Sequence, residues 1–129
     1  MKSLILPYQN DRPAVTLQLK TKEKHWKFFT ALVDSGADFS IFPAFAAIVL
    51  GIEVEKLPKT TAESADGDLF EIHKATLTAK LYEREFFIPI GFSKKQNVTP
   101  IIGRAGFFDT FKIEFDEKAK QLSLTPYSK

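Results

Sequence analysis

Four small residues hold most of the chemistry this sequence could perform. The apolar pair Leu32-Val33 runs into Asp34-Ser35-Gly36-Ala37, and about seventy residues later Ile101-Ile102-Gly103-Arg104 ends a second apolar segment. A carboxylate held at the end of a strand can take up or release a proton for a substrate. Alone, an Asp-Ser/Thr-Gly tripeptide arises by chance in roughly one chain in twenty of this length, and its ordinary reading is an Asx or Ser turn closing a strand. The pairing of the two segments lifts it above that reading. Other chemistries are scarce. With no Cys and with His25 and His73 standing apart, thiolate clusters and cysteine nucleophiles are excluded and no metal site is expected.

The elements that must position this loop can be read from periodicity. Val15, Leu17 and Leu19 alternate with polar residues as in a half-buried strand, Lys20 to Lys24 makes a solvated turn, and Trp26 to Val33 returns as the second strand of a hairpin. Pro43 to Leu50 reads as a short helix stopping before Gly51. From Ile52 to Ile90 the chain suggests successive hairpins, with Ala65-Asp66-Gly67-Asp68 the clearest turn and Glu83-Arg84-Glu85 a weaker one. After a polar loop at Ser93–Asn97, Val98 to Ile102 is expected to be extended, Gly103-Arg104 to open a brief helical stretch ending near Phe111, and Phe111 to Pro126 to form a final hairpin. The expectation is a mainly β domain, residues 1–129, with one or two short helices.

Composition agrees with one ordinary globular unit. The 129 residues are 44% hydrophobic and 26% charged, enough to bury a core without disulfides. Eighteen basic and 16 acidic residues are mixed along the chain, so no nucleic-acid footprint is expected. The longest apolar run, Ile41 to Leu50, is interrupted by Pro43 and falls far short of a bilayer span, and Ser3 to Leu6 is too short for the apolar part of a secretory signal. These readings point to a protein of the cytoplasm with no membrane partner.

The runs Thr30 to Asp38 and Thr99 to Arg104, in that order and spacing, resemble the retropepsin-like aspartic proteases, and the tail Gly106 to Asp116 with its hairpin looks like the stand-alone prokaryotic members. The resemblance covers most of the chain. It implies a closed β-barrel of the acid-protease type, one lobe per chain, in which Asp34, Ser35 and Gly36 form the catalytic loop. Two carboxylates that share one proton are needed to activate a water against a peptide carbonyl. One loop per chain therefore implies a homodimer acting on polypeptides, with no cofactor. The resemblance further implies that the Ser35 hydroxyl bonds across the dimer and that Gly36 lets substrate backbone approach. Asp38 and Arg104 match a bracing ion pair, with Gly103 in the segment beneath the loop and Asp38 also facing substrate. Leu32, Ile41, Thr99 and Ile101 match pocket positions. Ala37 offers no hydroxyl to the carboxylate, which implies a mildly acidic optimum, less extreme than pepsin's.

Some positions depart from the pattern. The candidate flap tip, Ala65-Asp66-Gly67, has a single glycine and an acidic side chain, and Phe39 stands where viral enzymes carry a polar or acidic residue. Ser3 to Leu6 is a candidate intersubunit strand. His25 and His73 are expected at the surface and the 13 Phe in the core. The alternative is a non-catalytic dimerisation or peptide-binding module on the same fold. A small β-barrel binding nucleic acid is a weaker third reading.

Overall fold

Inward-facing aliphatic residues at every second position build two sheets. The computed structural model describes residues 2–95 and 97–128; Met1, Lys129 and Gln96, the last in the expected polar loop, lie outside the described residues. In chain order the strands are β1 (Leu4–Pro7), β2 (Ala14–Lys20), β3 (Trp26–Val33) and β4 (Ser40–Pro43), then helix α1 (Ala44–Val49) and a single 3-10 turn at Val54–Lys56. There follow β5 (Lys59–Glu63), β6 (Leu69–Leu81), β7 (Arg84–Ser93), β8 (Ile101–Ile102), β9 (Phe111–Asp116) and β10 (Gln121–Pro126). The first hairpin pairs β2 with β3 from Ala14↔Leu32 to Lys20↔Trp26, and Val15, Leu17, Leu19, Ala31 and Val33 are buried. This is the inward set that the alternation marks.

Seven strands form one sheet in the order β2-β3-β8-β4-β7-β6-β5. Two further pairs, Gln18↔Lys80 and Leu19↔Ala79, join β2 to β6. They bring the sheet round into a ring, with β5 and the first residues of β6 projecting from it as a hairpin. The remaining strands make a three-stranded antiparallel sheet in the order β1-β10-β9. Leu122 and Leu124 of β10 are fully buried and join the same core as Phe107 and Phe111. Phe86, Phe107 and Phe111 meet with ring centroids 5.4–6.0 Å apart and pack inside as expected. Phe28, Phe45, Phe87 and Phe115 are exposed, which corrects the expectation that all the Phe lie in the core: a residue on the outward face of its element stays outside whatever its side chain.

Four further expectations are corrected. Ser3 to Leu6 does not stand free for a second subunit, because β1 pairs within the chain from Leu4↔Leu124 to Pro7↔Gln121 and leaves only its outer edge open. The brief helix after Gly103 is a run of turns with isolated helical hydrogen bonds, Phe108 N–H to Arg104 O and Phe111 N–H to Phe107 O. Gly106, at φ 83°, leaves the helical region in between. Extended pairing in Val98–Ile102 is confined to Ile101–Ile102. His73 is not a surface residue: it is 2% exposed, in register between Lys59 of β5 and Phe92 of β7, with Glu71 Oε1 3.7 Å from its Nε2.

Candidate active site

The strands on either side of the loop that carries Asp34 are both held by one two-residue strand. Strand β8 lies between β3 and β4, parallel to β3 through Leu32↔Ile101 and Val33↔Ile102 and antiparallel to β4 through Ile41↔Ile101. The Leu32 N–H donates to Pro100 O at 3.0 Å and the Asp34 N–H to Ile102 O at 2.9 Å. Between the clamps the chain turns tightly: Gly36 N–H donates to Asp34 Oδ1 at 2.9 Å and Ala37 N–H to Asp34 O at 3.2 Å. The Asp34 carboxylate is thus oriented by the backbone of its own loop, and it stays partly open to solvent.

The residues after β8 support this loop from below. A Cβ on Gly103 would stand 2.5 Å from Phe39 O and 2.8 Å from Ala37 O, both rigid backbone atoms. Only glycine lets the two segments meet this closely. Gly103 N–H then donates to the Ser40 hydroxyl at 3.1 Å, Arg104 N–H to Ala37 O at 2.9 Å and Ala105 N–H to Asp38 O at 2.9 Å. The Arg104 guanidinium donates to Ser35 O at 2.7 Å and also to the Asp38 carboxylate. Both charged side chains are at least half exposed, so solvent screens their attraction. Arg104 contributes geometry here, its planar fork joining two points of the loop.

Above the loop lies a cleft of about 940 Å³. Asp34, Gly36, Ala37, Asp38, Ile41, Thr99 and Ile101 line it, together with Phe39 and Val98. Its roof is the β5–β6 hairpin, through Thr61 to Ala65 and Leu69-Phe70. Six of the residues singled out from sequence sit elsewhere. Ser35 is exposed beside the cleft, Leu32 is half-buried between Ala14 and Ile101, and Gly103 and Arg104 lie beneath the loop. Asp66, with Gly67, forms the far end of the hairpin, which closes on itself. Ser64 N–H donates to Asp68 O at 2.8 Å, Gly67 N–H to Ser64 O at 2.9 Å, and the Ser64 hydroxyl donates to the Asp66 carboxylate. That hydroxyl, with a weaker contribution from the Asp68 N–H, holds the Asp66 carboxyl below its ordinary value.

Ser40 and the aromatic wall Phe70 are the site residues that motif reading leaves without a role. The Ser40 hydroxyl is buried and its partner is 63 positions away, a relation no local pattern encodes. Phe39 stands beside the motif, and its neighbours become visible only with the fold. No group of three His, Cys, Asp or Glu able to hold a metal ion is present among the described residues. Nor is any helix among them long and apolar enough to cross a membrane.

A mainly β fold of this topology, with one short loop carboxylate under a hairpin, is the retropepsin-like fold. Its chain path matches that of a retropepsin-like aspartic protease from Rickettsia conorii with a TM-score of 0.73, over 96% of this chain and 90% of that one, at 21% identity. It also matches the protease of EIAV complexed with the inhibitor HBY-793, with a TM-score of 0.56 over 72% of this chain and 82% of that one, at 20% identity. No protein-family model matches the chain, and no curated protein matches it in sequence.

Proposed function

We propose that this protein is an aspartic endopeptidase of the retropepsin type, acting on polypeptides as a homodimer and using no cofactor. The observation that carries the reading is the Asp34 carboxylate on the floor of an open cleft, in a loop pinned by β8 and by Arg104. One chain supplies one such carboxylate, and a twofold axis beside Ser35 supplies the other. In the dyad one Asp34 is ionised and takes a proton from water as its oxygen bonds to the peptide carbonyl carbon, while the other gives its proton to the carbonyl oxygen. The tetrahedral diol then collapses: the C–N bond breaks as the first Asp34 gives its proton to the nitrogen and the second takes one from a diol hydroxyl, which restores the dyad. No covalent enzyme intermediate forms.

Several features support this assignment. The Ser35 hydroxyl makes no hydrogen bond within the chain among the described residues, and so is available to a second copy. The outer edges of β1 and β9 carry backbone groups that no strand among the described residues pairs, a surface suited to association. Ala37 brings no hydroxyl to the carboxylate, in keeping with a mildly acidic optimum. Gly36, Asp38, Ile41, Thr99 and Ile101 are assigned to substrate contact, and Gly103 and Arg104 to support of the loop.

The test is cleavage of an unstructured protein from acidic to neutral pH at high protein concentration, comparing wild type with Asp34→Asn. Loss of an acid–base group lowers such rates by about a thousand-fold, and that loss is the expected result. Equal cleavage by both proteins would remove Asp34 from the mechanism. If both are folded and inert, a peptide-binding or dimerisation module on the same fold becomes the better account.

A further inference from the structure

The roof of the cleft sets an exposed leucine beside a carboxylate that no cation neutralises. Glu63, the last residue of β5, stands directly opposite Leu69, the first of β6, in the antiparallel register. Residues paired in this way carry their side chains on one face of the hairpin, with Cβ atoms about 5 Å apart. Both line the cleft, and Leu69 is 70% exposed there. The Glu63 carboxylate reaches toward the turn at the far end of the hairpin. Gly67 has no side chain to cover it: a Cβ at that position would stand 4.0 Å from Glu63 Oε1.

The other charges of the cleft single Glu63 out. Among the described residues, those that line it include three carboxylates, Asp34, Asp38 and Glu63, and no Lys, Arg or His. Asp34 belongs to the reacting loop, and Asp38 is engaged by Arg104 from beneath. At the hairpin's end Asp66 is held by the Ser64 hydroxyl, and Lys95 beside the hairpin is seated 5.5 Å from the centre of the Phe70 ring. Glu63 makes no ion pair among the described residues, unlike Glu55, which pairs with Lys94. A long basic side chain matches the roof part by part. The methylenes of Lys or Arg cover apolar surface such as Leu69 offers, while the charged head reaches a carboxylate at its edge. A short polar or acidic side chain would match neither half.

We infer that Glu63 is a specificity-determining residue: with Leu69 beside it, it selects polypeptides that carry a Lys or Arg close to the scissile bond. This rests on the proposed peptidase activity and names the substrate class of the same cleft. Glu63 hangs in the roof and Asp34 lies in the floor, so the effect of Glu63 is on which peptides are turned over and not on the bond-breaking step. An ion pair this open to solvent corresponds to about a three-fold preference in kcat/KM.

The experiment uses a peptide that the protein cleaves, resynthesised with Lys, Gln or Glu at each position flanking the bond and assayed near pH 6, about where ordinary carboxylates are ionised. The readout is the ratio of kcat/KM values for Lys and Gln peptides, which does not depend on how much active protein a variant yields. Wild type is expected to favour Lys over Gln about three-fold at a flanking position and to turn over Glu least, with the preference shrinking as salt is raised. Glu63→Gln should abolish the preference and Glu63→Lys invert it. Glu83→Gln, which makes the same charge change in the exposed β6–β7 turn, should leave it intact. Equal rates for all three peptides at every position would overturn the inference and leave the peptidase assignment standing. A preference for Lys that survives in Glu63→Gln would overturn it as well. Absence of cleavage of every peptide by folded wild type at high concentration would overturn both.

Discussion

A single hydroxyl beneath the cleft does work that the more conspicuous charges there do not. Ser40 accepts the buried Gly103 N–H, and without it that donor has no partner in a water-free position. Ser40→Ala is therefore expected to destabilise the fold by about 1–3 kcal/mol, measured as a shift in the urea midpoint with unchanged slope. A change within error of zero would mean that the backbone re-pairs Gly103 on its own. The Arg104–Asp38 pair, half in solvent, has no comparable claim on stability and acts through the shape it gives the loop. At this scale the sequence was readable wherever chemistry demands a rare residue in a short run: Asp34, Gly36, Gly103 and Arg104 stand out for that reason. Ser40 does not. Serines are common, and its partner here comes from a segment brought beside it only by the fold.

The β5–β6 hairpin shows how an element can be set by its own turn. Its tip is tied by Ser64, and the Asp66 carboxylate accepts from that hydroxyl with its own titration lowered below the ordinary aspartate value of 3.8. A carboxyl whose folded value is depressed adds stability that is fully present above the unfolded value and is lost as pH falls through the folded one. Across a mildly acidic working range the tip should therefore keep one geometry, and loosen only below about pH 3.8. Carbon-detected NMR of the Asp66 carboxyl, with amide exchange at Gly67 and Asp68, checks this. A midpoint at or above the ordinary value would contradict it. Elements with five or more alternating residues and a polar turn, such as the β2–β3 hairpin, were legible from periodicity alone. The two residues of β8 and the four of β4 are too short to carry a period, and their pairing is decided by what lies beside them. The helix expected after Gly103 was lost to Gly106, whose left-handed turn a spacing of Phe residues cannot reveal.

For the molecule as a whole, the proposed dyad makes activity a property of two chains. Specific activity should fall on dilution as dimers separate, and the dilution at which it falls should coincide with the change in mass seen by light scattering. Full activity in a species of monomer mass would oppose a shared site. The ring also sets the order in which the molecule can be assembled. Strand β8 lies between the two strands that flank the Asp34 loop, yet it is synthesised about seventy residues after Asp34, and β1 waits for β10 at the opposite end of the chain. Pairings between such distant segments are closed late and slowly. A ribosome must therefore release nearly the whole chain before the carboxylate is held in place, and a growing polypeptide that has already emitted Asp34-Ser35-Gly36 has no organised site with which to cut itself or its neighbours.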